Sequence, residues 1–192
     1  MGLQIEDGEG KGVSAGVTNG KQLKVQSENR ELQHYNSLEY GRAYQVIGDV
    51  EITGGTQTVM HMTNDSQDKL AISFVRLQAV DFNGGTAPPN SGTYYQFGFD
   101  TSYVSNGDSV TPVNMNRASN NTADVTAYDN APTITGDFTE ADRWFPTESE
   151  DMIVFNKQGS IILGQNNSFE IRITSNASSG LAYSRTTFFY VE

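Results

Sequence analysis

Ser168-Phe-Glu-Ile-Arg-Ile-Thr174 decides the fold class. In an extended chain successive side chains point to opposite faces, so Phe169, Ile171 and Ile173 share one side and Glu170 and Arg172 the other. A helix would scatter the same three apolar residues around its axis. The alternation predicts a strand with one face on a core and with Glu170 and Arg172 turned to water.

The pattern repeats outward from this segment. Strands are expected at 44–52, 57–63, 69–80, 94–104, 152–155, 160–163 and 185–191, beside 168–174 itself. Turn chemistry separates them: Gly54-Gly55, Asn64-Asp65-Ser66, Asn83-Gly84-Gly85, Asn106-Gly107-Asp108, Gly159 and Asn166-Asn167. About eight short strands at this spacing, with no alternating helical pattern, predict an all-β, antiparallel β-sandwich or jelly-roll-like domain rather than a parallel α/β sheet. Residues 105–150 fit least well. They hold Pro112, Pro132 and Pro146, their one apolar cluster is Trp144-Phe145, and Thr139-Glu-Ala-Asp-Arg-Trp144 reads as a single helical turn. A connection of that length is usually functional or covered by a partner.

Upstream the texture changes. Residues 1–20 are dominated by Gly and small polar side chains, with isolated Leu3, Ile5, Val13 and Val17, too few to build a core. Such a segment reads as an extended arm that becomes ordered along a neighbour. Lys21–Gln26 alternates, with Leu23 and Val25 on one face, and Ser27 caps an expected short helix that Gly41 ends. The division is therefore residues 1–43 as arm and 44–192 as the β domain.

Composition restricts the function. The 192 residues are 36% hydrophobic and 18% charged, with a formal net charge of −11. Apolar side chains are sparse for a monomer of this length, so protomers are expected to share apolar surface. Nucleic-acid binding draws most of its affinity from Lys and Arg on phosphates, and 12 scattered basic residues against 23 acidic ones predict neither nucleic acid nor anionic membrane as a partner. No apolar run reaches membrane-spanning length. With no cysteine, disulfides and thiolate metal sites are excluded. The absence of a signal-like segment after Met1 predicts synthesis in a cytoplasm.

Catalytic chemistry has few candidates. His34 and His61 are the two histidines, and neither lies in a nucleophile motif. Gly8-Glu-Gly10-Lys-Gly12 imitates a phosphate loop without the strand and helix that such a loop needs. The acidic residues Asp137, Glu140, Asp142, Glu148, Glu150 and Asp151 read as a solvated loop, with a loosely held Ca²⁺ as the alternative and no EF-hand spacing. The N-x-[ST] sequons at Asn64, Asn120, Asn166 and Asn176 mark turns. No catalytic residue, cofactor or metal is expected, and the chain reads as non-enzymatic.

Three stretches carry a family resemblance. Ile5-Glu-Asp-Gly8-Glu-Gly10-Lys-Gly12, then Leu23-Lys-Val25, then Gly41-Arg-Ala43, resembles the opening of small tailed-phage virion proteins. Val110-Thr-Pro-Val-Asn114-Met-Asn116-Arg-Ala-Ser119 and the ending Thr187-Phe-Phe-Tyr190-Val are similar to later parts of the same proteins. The resemblance implies a virion structural role, as head decoration (cement) protein or head-fibre component, commonly a homotrimer on the capsid exterior bound to the major capsid protein. Leu3, Ile5, Val13, Val17, Leu23 and Val25 are then the expected capsid or protomer contacts. The alternative is a carbohydrate-binding β-sandwich on a tail or head fibre, in which Trp144 and Tyr128 would stack on sugar.

Overall fold

The computed structural model describes residues 41–83, 92–146 and 152–191, together with residues 16, 17, 23, 24, 37 and 40. The chain divides into two units, Met1–Glu31 and Leu32–Glu192. In the first, β1 (Gly16–Val17) and β2 (Leu23–Lys24) pair antiparallel, with Val17 opposite Leu23. In the second, Ser37 and Tyr40 are helical, and the Gly41 N–H closes on the Ser37 carbonyl at 3.1 Å. Gly41 stops the turn as expected: its φ of +58° suits glycine at a helix end.

The β domain follows. β3 (Ala43–Glu51), β4 (Gly55–Asn64), β5 (Lys69–Asn83) and β6 (Tyr94–Phe99) come first. The small strands β7 (Ser102–Ser105), β8 (Asp108–Ser109), β9 (Val113–Asn114), β10 (Val125–Asp129) and β11 (Thr133–Thr135) succeed them. β12 (Thr139–Trp144), β13 (Ile153–Leu163), β14 (Ser168–Ser175) and β15 (Ser179–Val191) complete the chain. One sheet has the order β13-β5-β15-β3-β9, the other β12-β6-β14-β4-β10-β8, and β7 pairs with β11 apart from both.

Setting β7 to β11 aside, the strand orders are 3-15-5-13 and 4-14-6-12. Successive strands alternate between the sheets except at β6 to β12, and every pairing is antiparallel. That is the jelly-roll wiring of two Greek keys, so the expected fold class holds. Val46, Val50, Met60, Met62, Ile72, Val75, Leu77, Phe97, Phe169, Ile171 and Phe188 fill the space between the sheets.

The structure corrects four expectations. The strand expected at 94–104 is two, because Asp100 takes a φ of +67° and breaks the ladder before β7. The two strands expected at 152–155 and 160–163 are one. Gly159, read as a turn, sits with a φ of +77° in an irregularity between Asn156 and Ile161, which β13 passes through while still pairing with β5. Thr139–Trp144 is strand and not a helical turn. Its Glu, Ala and Arg favour helix locally, but pairing along β6 satisfies more backbone groups, and tertiary context overrides a weak propensity. Lastly, Glu170 does not face water: it is fully buried, and Arg172 is half-buried.

Candidate interaction surface

Glu170 is buried because the segment between β6 and β12 folds back over the outer face of the six-stranded sheet. The ladder sets Tyr128, His61, Glu170 and Gly98 side by side on β10, β4, β14 and β6. Arg172 forks the Glu170 carboxylate, Nε to Oε1 at 2.7 Å and a terminal nitrogen to Oε2 at 3.0 Å. The Thr58 hydroxyl donates to Oε1 at 2.6 Å. The guanidinium lies 3.8 Å from the Phe138 ring centroid, a cation–π contact in a desolvated setting. Phe138 has its seat only because residue 98 is glycine. A Cβ there would stand 2.3 Å from the Thr139 carbonyl oxygen and 2.8 Å from the ring.

His61 lies on the other flank of Glu170, fully buried, with Nε2 donating to the Thr101 carbonyl at 3.4 Å. Burial pushes its pKa down, against the opposing pull of the Thr101 carbonyl and Glu170. Next in the row, Tyr128 stacks on Tyr103 with centroids 3.5 Å apart and planes 3° from parallel. These groups fasten the 100–138 segment to the sheet, and the face they occupy is closed to a ligand.

At the corner where β10 approaches β3, the Asp49 N–H donates to Asp129 Oδ2 at 3.2 Å and the Asn130 N–H to the Asp49 carbonyl at 2.8 Å. Burial raises the Asp129 pKa, and the neighbouring Asp49 and Asp108 carboxylates raise it further. The native state therefore holds this proton more tightly than the unfolded chain does. That contribution is complete below the ordinary aspartate pKa and is lost as pH rises through the raised value. Asp129→Asn is accordingly expected to melt higher than wild type at pH 7. The difference should vanish near pH 3 in thermal scans; a variant that melts lower at pH 7 contradicts the assignment.

The open part of the domain is its β12–β13 flank. β12 ends the six-stranded sheet and β13 the five-stranded one, and among the described residues neither has a further strand neighbour. Trp144 crosses the seam to meet Phe155 edge-on at 5.3 Å, and Lys157 reaches Asp142 at 3.1 Å. Trp144, Phe145, Met152, Val154 and Ile162, all on or beside these strands, are 41–61% exposed. Phe145 packs on Tyr94 at 5.5 Å, and Arg143, forked by Glu140, lies 4.8 Å over the same Tyr94 ring. The opposite flank ends in the two-residue strands β8 and β9, and because β9 pairs only with Tyr44 and Gln45, residues 46–51 of β3 have no strand neighbour on that side among the described residues.

Of the contacts expected from the sequence, Val17 and Leu23 are cross-strand partners in β1 and β2, while Leu3, Ile5, Val13 and Val25 lie outside the described residues. Trp144 and Tyr128 are not brought together. Their strands are four ladder steps apart, roughly 19 Å at the usual strand spacing. They also point to opposite faces: Trp144 is paired with the core residue Tyr95, and Tyr128 with His61 in the outer row. The acidic stretch is partly accounted for, since Glu140 and Asp142 hold Arg143 and Lys157. Among the described residues no group of three His, Asp or Glu side chains is placed to hold a metal. Sequence reading missed the exposure of Met152, Val154 and Ile162. Alternation assigns them a face, and only the topology tells that β13 is an edge.

No family model matches this sequence, and no curated protein matches it. Among the solved structures with similarity are chains of viral capsids and particles. One is a chain of the cyanophage Pam1 capsid asymmetric unit, at 16% identity over 91% of this chain and 98% of that one, with a TM-score of 0.30. Another is a chain of the T13 viral particle of IBDV, at 10% identity over 100% of this chain and 41% of that one, also at 0.30. A third, from T=1 particles derived from infectious bursal virus, has 9% identity over 78% and 40% of the two chains and a TM-score of 0.21. Likeness this distant carries no argument about function, and the fold assignment rests on the strand order itself.

Proposed function

We propose that this chain is a non-enzymatic virion protein, a decoration (cement) protein that binds the outside of a phage head and stabilises the shell. The observation that carries the reading is the β12–β13 flank. Two strand edges that have no further strand neighbour among the described residues, with five large apolar side chains exposed on or beside them, are a liability for a free protein, and natural sheets keep such edges covered. A partner that covers this flank makes sense of it. The resemblance of the N-terminal stretch to tailed-phage virion proteins supplies the setting, and a net charge of −11 suits a protein crowded at high local concentration.

In this reading three copies share apolar surface around a closed axis. The major capsid protein is the second partner, and the arm, with Leu3, Ile5, Val13 and Val17, adds backbone hydrogen bonds to a neighbouring sheet edge. The protein is made in the host cytoplasm and ends on the capsid exterior. The carbohydrate reading retains only the exposed Trp144 in its favour, because Tyr128 belongs to a different face and edge.

Deleting residues 1–20 is the direct test. The truncated chain is expected to keep its circular dichroism and melting transition but to lose binding to heads that lack their decoration protein, scored by co-sedimentation. Normal decoration by the truncated chain defeats the arm assignment. Light scattering on the full chain should give three times the monomer mass, and a strict monomer at micromolar concentration defeats the shared-surface argument.

A further inference from the structure

The outer face of the five-stranded sheet carries a row assembled across four strands: Ile47, Arg185, Arg76 and Val154 are successive ladder partners on β3, β15, β5 and β13. All four are exposed. Two arginines are thus directly opposite each other in the ladder, a like-charge pairing that destabilises it unless an anion intervenes. Among the described residues neither arginine has an ion pair, in a chain where acidic residues outnumber basic ones 23 to 12. Asp49, one row away as the partner of Tyr183, makes no ion pair with either. A groove of about 310 Å³ runs along the row, and Met152 and Tyr183 line it beside Ile47 and the two arginines.

We propose that this groove docks an acidic segment of a protein partner, whose carboxylate bridges Arg76 and Arg185 while flanking apolar side chains cover Ile47, Met152 and Val154. Guanidinium forks bind carboxylates bidentately and with strong geometric preference. An inorganic anion would neutralise the arginines but leave the apolar rim wet. Nucleic acid would meet the repulsion of the remaining acidic surface. A second copy presenting the same face would bring four guanidinium groups together. The inference rests on the docking role proposed above and adds the chemistry of the partner's contact.

The test uses the full chain and a synthetic probe, the blocked peptide Leu-Glu-Leu-Asp-Leu, titrated while the methyl signals of Ile47, Met152 and Val154 and the arginine Nε–H signals are followed by NMR. Localised shifts are expected, with affinity falling at least tenfold in the R76Q/R185Q variant and at least tenfold for the Leu-Gln-Leu-Asn-Leu peptide. The variant should melt no lower than wild type, because it removes a like-charge pair. Absent shifts, or equal affinity in the variant or for the neutral peptide, overturn the groove. Head binding separates the two ideas. A chain that takes the peptide yet ignores heads sinks the decoration reading and leaves the groove; heads decorated undiminished by R76Q/R185Q sink the groove as a shell contact and leave the decoration reading.

Discussion

Arg172→Ala is expected to destabilise the domain by about 3–5 kcal/mol, the usual result of removing one partner from a buried ion pair. Glu170 would remain fully buried with the Thr58 hydroxyl as its one remaining side-chain donor, and Phe138 would lose the guanidinium it packs on. At this chain length the loss corresponds to roughly 10 °C in Tm. Because the pair fastens the 100–138 segment, limited proteolysis should cut there well before the sheets unfold, the signature of local opening. The double variant Glu170→Met, Arg172→Met is the control. It fills the same volume without a buried charge and is expected to recover most of the loss. If Arg172→Ala unfolds within about 1 kcal/mol of wild type in urea, the pair is not what closes this face.

Phe169→Ala attacks the other face of the same strand. Phe169 is fully buried and packs against Phe97 and Phe99 at ring separations of 5.8 and 6.1 Å. Truncating a core Phe to Ala costs about 3–5 kcal/mol through lost transfer energy and the cavity left behind. Here the loss should be global. The proteolysis pattern should follow overall unfolding, with no selective release of residues 100–138. Phe169→Leu, closer in volume, should cost less than half as much. Equal sensitivity to Ala and Leu would mean that shape at this position matters more than the size of the void.

The two variants also mark where sequence reading succeeds and fails. The alternation in Phe169–Ile173 correctly puts three apolar residues on one face, because that face is a property of the strand alone. Whether the other face meets water depends on what the rest of the chain lays over it. Phe138 is 32 residues upstream, and its fit depends on Gly98 in another strand, so no local pattern announces it. The helix stop at Gly41 was legible because φ chemistry is local. The break at Asp100 was not, since aspartate tolerates that backbone without advertising it. In the 105–150 region the Val125/Ala127 alternation was present but short, and prolines and asparagines around it masked β10. The Arg76–Arg185 juxtaposition lies further from reach. Each residue sits between inward neighbours and is readable as outward, but their meeting depends on register.

The flank proposed as a contact sets a condition on self-association. A contact between copies that rotation does not close strings them into fibres, whereas one that closes exhausts itself in a ring. If copies of this chain meet through the β12–β13 flank, as proposed, a ring is the expected assembly and an open fibre speaks against the proposal.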